Sequence, residues 1–207
     1  MTITVAIDGP AAAGKGTISK EIARRFGFGH LDTGLLYRAV GAVAEETGRA
    51  PEAVAASLSE ADMSRDDLRG SAAAQAASKV AAIPEVRAAL VAFQRDFAAR
   101  PGGAVLDGRD IGTVICPDAN VKLFVTASAA ERARRRHAEL SAKGDARSYE
   151  DVLADVEARD ARDASRETAP MTRAADAHLI DTTYMSIDTA VAEAARLINA
   201  ALDRTRG

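Results

Sequence analysis

The chain has 207 residues, 47% apolar and 28% charged, which suits one compact domain and argues against wholesale disorder. Twenty-seven Lys+Arg against thirty Asp+Glu give a net charge of −3, which argues against a basic nucleic-acid surface; the single cysteine, Cys116, rules out an intrachain disulfide and disfavours a Cys-based zinc site. No apolar run approaches the roughly 18 residues of a membrane span, and the start of the chain has no basic leader, so the expectation is a cytoplasmic protein with no membrane or nucleic-acid partner, and a monomer because no long apolar stripe is left unassigned.

Residues 2–8 are a short β-branched run ending at Gly9-Pro10, which predicts a buried strand and a turn. A helical pattern follows over 15–26, closed by Gly27 and Gly29. His30–Asp32 predicts a second strand and 35–47 a helix stopped by Gly48. Residues 48–70, with Pro51 and an acidic run, fit either short helices or a loop. Helices are predicted over 71–82 and 85–98, broken at Pro84. A strand over 104–106 ends in Asp107-Gly108, and a clearer one spans 120–126. A charged helix over 128–140 has Ser128 and Glu131 at capping-box spacing. Another helix covers 148–165, a strand 177–181 and an amphipathic helix 187–202. Strands alternating with helices predict an α/β fold in three layers, with about five parallel strands covered on both faces.

Gly9-Pro10-Ala11-Ala12-Ala13-Gly14-Lys15-Gly16-Thr17 lies between a predicted strand and a predicted helix, the setting a phosphate-binding P-loop requires. Small residues let backbone N–H groups curl around phosphate oxygens, the helix start adds its positive end, and Lys15 reaches the terminal phosphates of a nucleoside triphosphate such as ATP. Gly16 stands where Ser or Thr usually ligates Mg²⁺, so the ion is expected to be held by phosphates and water rather than by the loop, and Thr17 to donate to a phosphate. Asp107 reads either as an acid near the metal-bound waters or as a strand-end turn residue. This variant loop is closer to nucleoside monophosphate kinases than to GTPases or motor ATPases.

An acceptor phosphate needs a second pocket. Thr33 and Gly34 open a helix, Arg38 follows one turn later, and Asp107-Gly108-Arg109-Asp110 ends a strand, where ligands bind in open α/β sheets. Twenty-two of the 27 basic residues are arginine, nine of them between Arg132 and Arg173. Arg clamps phosphate in two-pronged fashion, although high-GC coding also enriches it, so positions carry the argument.

Several blocks in order now support a resemblance: 7–17, 31–38, Ala77–Arg87, Asp107–Thr113 with Pro117-Asp118-Ala119, and Arg159–Asp163 through Ala169-Pro170. Together they resemble the bacterial cytidylate (CMP) kinase family across nearly the whole chain except residues 48–70. The resemblance implies phosphoryl transfer from ATP with Mg²⁺ to CMP or dCMP. It implies that Ser78, Arg87 and Asp110 read the cytosine, that Thr33, Arg38, Arg109 and Arg166 hold the acceptor phosphate, and that Arg159 and Asp163 meet the ribose. Gly34 and Tyr37 fall within the same substrate block. Lys15, Arg162 and Arg166 are expected to balance charge on the transferring group.

Arg159, Arg162 and Arg166 with Asp160 and Asp163 also fit a salt-bridged helix face, and Arg132, Arg134, Arg135 and Arg136 either cover the nucleotide or lie on a solvated one. His30, His137 and His178 lack metal-ligand spacing and read as structural. Two departures from the family stand out: residues 48–70 are too short for the extra antiparallel subdomain of many relatives, and Ala12 replaces a common Gly. The expected organisation is a single domain over 1–207, with a reduced acceptor-binding subdomain near 33–100 and a helical lid near 138–160. Two other readings remain open: a kinase for UMP or shikimate, which would lack the Ser78/Arg87/Asp110 set, and an acceptor-free nucleotide switch, which would not need the second arginine cluster.

Overall fold

The computed structural model describes residues 3–206; the Thr2 end of the first predicted strand lies outside them. Five parallel strands, β1 (Thr4–Asp8), β2 (Gly29–Asp32), β3 (Ala104–Gly108), β4 (Val121–Thr126) and β5 (His178–Asp181), form one sheet in the order β2-β3-β1-β4-β5. β1 sits at the centre, with Val5 paired to Val105 on one side and Val121 on the other.

The pleat sends alternate residues to opposite faces. Val5, Ile7, Val105 and Leu123 join a core with α1 (Lys15–Phe26) and the C-terminal Ile187–Arg206 helix. Ala6, Ala104 and Leu106 pack instead with Ile111, Ile115 and Ala98. Both faces are therefore covered, and the sheet with its two helical layers follows the expected three-layer plan.

Between β2 and β3 run α2 (Thr33–Thr47), α3 (Pro51–Ala55), α4 (Glu60–Met63), a 3₁₀ turn (Asp66–Arg69), α5 (Ser71–Val80) and α6 (Pro84–Ala98). Of the two readings of 48–70, short helices are what forms, and no strand occurs there among the described residues. Pro84 takes the first turn of α6, where its missing N–H leaves no bond unmade. Leu36, Val40, Val54, Val80 and Leu90 give these helices their own core.

α7 (Ala129–Ser141) and α8 (Tyr149–Ala164) form a hairpin closed by Ala133, Leu140, Val152 and Val156. Ser128 caps α7 by accepting from the Glu131 N–H at 3.2 Å, and Ser148 caps α8 by accepting from Asp151 at 3.1 Å. The final helix, α9 (Ile187–Arg206), runs four residues beyond its predicted end. Gly29 belongs to β2, so Gly27 alone closes α1, its left-handed φ of 70° letting its N–H bond Ala23.

Candidate active site

The loop after β1 is shaped by close backbone approach. A Cβ on Gly9 would lie 1.9 Å from the Val125 carbonyl oxygen, so only glycine lets the chain leave β1 here. Ala12 adopts a left-handed φ of 59°, unusual for a residue with a side chain. Ala11, Ala12, Gly14, Lys15, Gly16 and Thr17 then face a cleft of about 340 Å³. Gly9, Pro10 and Ala13 do not: they frame the loop, Ala13 being fully buried in the α1–α9 core.

Lys15 is the first residue of α1 and is 6% exposed. Its Nζ donates to the Pro10 carbonyl at 2.8 Å. Burial, then the Arg109 charge, pulls its pKa down to about 7, against the opposing pull of Asp107 and Asp32. A lysine this destabilised in its charged form is poised for an anion that would restore the charge.

The other wall is built by α2, α5, α6, the end of β3 with the loop after it, and the C-terminal half of α8 with Arg166 just beyond. All eleven residues expected on the acceptor side line the same cleft: Thr33, Gly34, Tyr37, Arg38, Ser78, Arg87, Arg109, Asp110, Arg159, Asp163 and Arg166. The adjacency of Arg109 and Asp110 is not an ion pair between neighbours. Asp110 pairs with Arg87 from α6, whose guanidinium lies 6.0 Å from the Tyr37 ring centre. Burial pushes the Asp110 carboxyl up, against the pull of Arg87.

Arg109 turns instead to Asp163, its Nε donating to Oδ2 at 2.9 Å, while Arg166 reaches Oδ1 at 2.8 Å and Arg159 lies 3.9 Å away. Burial pushes Asp163 up, but these three guanidiniums outweigh it and hold the carboxyl below its ordinary value. One carboxylate does not neutralise three arginines. Among the described residues, the buried Nε atoms of Arg38, Arg159 and Arg166 have no hydrogen-bond partner. Burial lowers the pKa of Arg38 and of Arg159, the latter also repelled by Arg109. Buried donors without acceptors beside surplus positive charge make an anion site.

Besides Gly9, Pro10 and Ala13, Arg162 is the expected residue that does not line this cleft. It lines a neighbouring cavity of about 470 Å³ between α5, α7 and α8, which shares Ala11, Ala12, Arg38 and Arg159 with the first. Its Nη1 donates to Ser78 Oγ at 2.9 Å.

Some features were not anticipated. Asp32 and Lys20 also line the cleft. His30, read as merely structural, places Nε2 2.7 Å from Asp107 Oδ2 at the cleft floor, while the Asp107 carbonyl accepts from Thr33 Oγ1 at 2.8 Å. Asp107 itself lines the cleft. The α7 arginines divide. Arg132 is buried and bridges the Ala11 and Ala127 carbonyls to Asp160 on α8, whereas Arg134 is exposed and paired with Glu131. Arg135 reaches Thr182 after β5, and Arg136 pairs with Glu139. Arg132 follows the Ser128 cap by one turn, which brings it to the loop carbonyl of Ala11, a contact that its spacing from Arg134 does not reveal.

Comparison with known proteins agrees with this geometry. The family described as Cytidylate kinase matches residues 5–200. A cytidylate kinase of Cereibacter sphaeroides is 66% identical over 198 residues, covering 96% of each chain. Among solved structures, an uncharacterized protein from Eubacterium ventriosum aligns with a TM-score of 0.59 at 15% identity, over 96% of this chain and 99% of that one. A shikimate kinase from Bacteroides thetaiotaomicron aligns with a TM-score of 0.50 at 11% identity, over 95% and 98%. These structural likenesses speak to the fold alone.

Proposed function

Because the chain belongs to the cytidylate kinase family, we propose that its cleft transfers the γ-phosphoryl group of ATP to CMP, giving ADP and CDP, and likewise converts dCMP to dCDP. The observation that carries this reading is the convergence on one cleft of a P-loop lysine and an arginine cluster in excess of its carboxylate. One end suits a triphosphate and the other a monophosphate. A single-substrate NTPase has no use for the second.

Chemistry here is positioning and charge balance, with no covalent enzyme intermediate. A phosphate oxygen of CMP attacks the γ-phosphorus in line, and the bond to the ADP bridging oxygen breaks. Arg38, Arg109 and Arg166 hold the attacking phosphate, with the Thr33 hydroxyl and the Gly34 amide at the start of α2 beside them. Lys15 and the P-loop amides hold the donor phosphates, and Arg162 with Arg166 follows the transferring charge. Ser78, Arg87 and Asp110 face the base: Asp110 accepts from the cytosine amino group, and uracil, with an acceptor there, leaves that carboxylate opposed. Arg159 and Asp163 meet the sugar.

Mg²⁺ fits the donor chemistry of this cleft, where the carboxylates of Asp107 and Asp32 stand near Lys15 and would hold its waters, leaving Thr17 to donate to a phosphate. When bound, the ion neutralises charge on the donor phosphates. The stretch near 138–160, within the α7–α8 hairpin and its private core, is the lid that excludes water. We place the protein in the cytoplasm as a monomer, working in pyrimidine nucleotide metabolism. Phosphorus NMR of a mixture with ATP, Mg²⁺ and CMP tests the reaction: CDP should appear in step with ADP, and inorganic phosphate in its place would refute transfer.

A further inference from the structure

Asp8 is the last residue of β1 and is joined directly to Gly9, where the phosphate loop begins. It is 5% exposed and takes no part in the chemistry above. Its two carboxylate oxygens accept from two consecutive backbone amides far along the chain. Oδ1 takes Ile111 N–H and Oδ2 takes Gly112 N–H, both at 2.7 Å. Those amides open a single π-type turn, Ile111–Ile115, whose Val114 and Ile115 N–H groups bond back to the Asp110 carbonyl. The turn therefore starts on the residue whose side chain pairs with Arg87.

We infer that Asp8 is a positioning residue for acceptor recognition: its carboxylate fixes the Arg109–Asp110 corner relative to the phosphate loop. The inference rests on the cytidylate kinase reading of the cleft.

Three observations support it. The first amides of a helical turn have no partner within it, and one ionised carboxylate satisfies two of them at once. Apolar packing of Ile111 fixes the depth of the turn against Leu106, but an apolar contact is not directional and does not fix rotation. Gly112 lets the turn approach closely: a Cβ there would lie 3.2 Å from Lys122 Cδ and 3.3 Å from Asp8 Oδ2, a tight fit that would make those side chains give. The close approach of turn to carboxylate is thus built from both sides.

The same geometry makes the clamp sensitive to protonation. Burial raises Asp8 to about 6, against the two amides, which lower it; Asp110 raises it and Lys15 lowers it. The other titratable groups facing this region are Lys122 across Gly112 and Cys116 at the end of the turn. A protonated Asp8 carries an O–H that cannot accept from the amide it faces, so one of the two bonds is lost below this range.

The test compares the full-length wild type with Asp8→Asn, which keeps shape but replaces one acceptor by a donor. KM for CMP should rise about tenfold, the effect of one charge-assisted bond, while KM for ATP changes less than about twofold. The ratio of the two enzymes' kcat/KM for CMP should shrink as pH falls through the Asp8 range, because the wild type loses the same bond; titration of CMP itself cancels in that ratio. Equal rises in both KM values, an unchanged KM for CMP, or a pH-independent ratio would overturn the inference. If Asp8→Asn does not fold, Gly112→Ala decides: KM for CMP raised more than about threefold supports the clamp, and an unchanged value overturns it. A wild type that does not turn over CMP at all would defeat the functional reading instead.

Discussion

Arg87 on α6 and Asp110 at the end of β3, 23 residues apart in the chain, meet in an ion pair that water barely reaches. Both also line the acceptor cleft. A buried pair of this kind is a weak source of net stability but a costly thing to break, because the survivor is left charged and unpaired. The shared place of Arg87 and Asp110 in the cleft wall fits the proposed recognition of the base better than scaffolding. Asp110→Asn should narrow the preference for CMP over UMP by about tenfold or more, measured as kcat/KM for each. A ratio equal to that of the wild type would remove Asp110 from base recognition. Asp110→Ala should in addition lower unfolding free energy by about 3–5 kcal/mol.

Lys15 gives a pH-dependent prediction. Its pKa in the free cleft is about 7, so near about pH 8 most of it is neutral. Donor phosphates favour the charged form, and binding should take up protons. Calorimetric titration with ATP in two buffers of different ionisation enthalpy should show this uptake, and Lys15→Met should abolish it together with turnover. Buffer-independent heats in the wild type would contradict the assignment. The sign for folding is the reverse of a stabilising pair: between pH 7 and the ordinary lysine value of 10.5 the unfolded chain binds more protons at Lys15, so this group makes the free protein more stable as pH rises through that window.

Ala12 carries backbone strain that glycine would not. At a φ of 59° an alanine is disfavoured by about 1–2 kcal/mol, partly offset by its lower entropy in the unfolded chain. Ala12→Gly should raise stability by about 0.5–1 kcal/mol in thermal or denaturant unfolding. A destabilised variant would show that the left-handed conformation costs nothing here.

Asp163 restrains Arg109, Arg159 and Arg166, and its removal leaves them facing one another. Asp163→Ala should be destabilised by about 3 kcal/mol or more in low salt, and added sulfate should restore more of its melting temperature than it adds to the wild type. Equal sulfate effects on both proteins would mean that the arginines do not form one anion site.

The P-loop and the alternation of strands and helices are legible in the sequence because each rests on a local pattern, such as a glycine-rich turn between a β-branched run and a helix; the roles of the expected acceptor residues, spread from Thr33 to Arg166, are assigned only by the family resemblance. Residues 48–70 are illegible in detail because their helices are too short for periodicity to show, α3 spanning only Pro51–Ala55. What the sequence hides is who pairs with whom. Arg109 and Asp110 look like one local pair and instead reach Asp163 and Arg87 on different helices. Asp8 looks like a strand end and holds amides more than a hundred residues away, since its hydrogen-bond partners are 103 and 104 positions distant. Arg132 and Arg134 sit two residues apart on one helix, one a buried strut and the other a solvated partner of Glu131. Such pairings are set by tertiary approach, which composition and spacing do not encode.

The proposed function has two phosphate sites in one cleft serving a base-selective transfer. A coupled assay of ADP release with ATP and Mg²⁺, run against CMP, dCMP, UMP, AMP, GMP and shikimate with a no-acceptor control, tests it most directly. Fast turnover with CMP and dCMP and slow turnover with every other acceptor is the predicted result. ADP release that does not depend on the acceptor, or equal rates with UMP or shikimate, would contradict it.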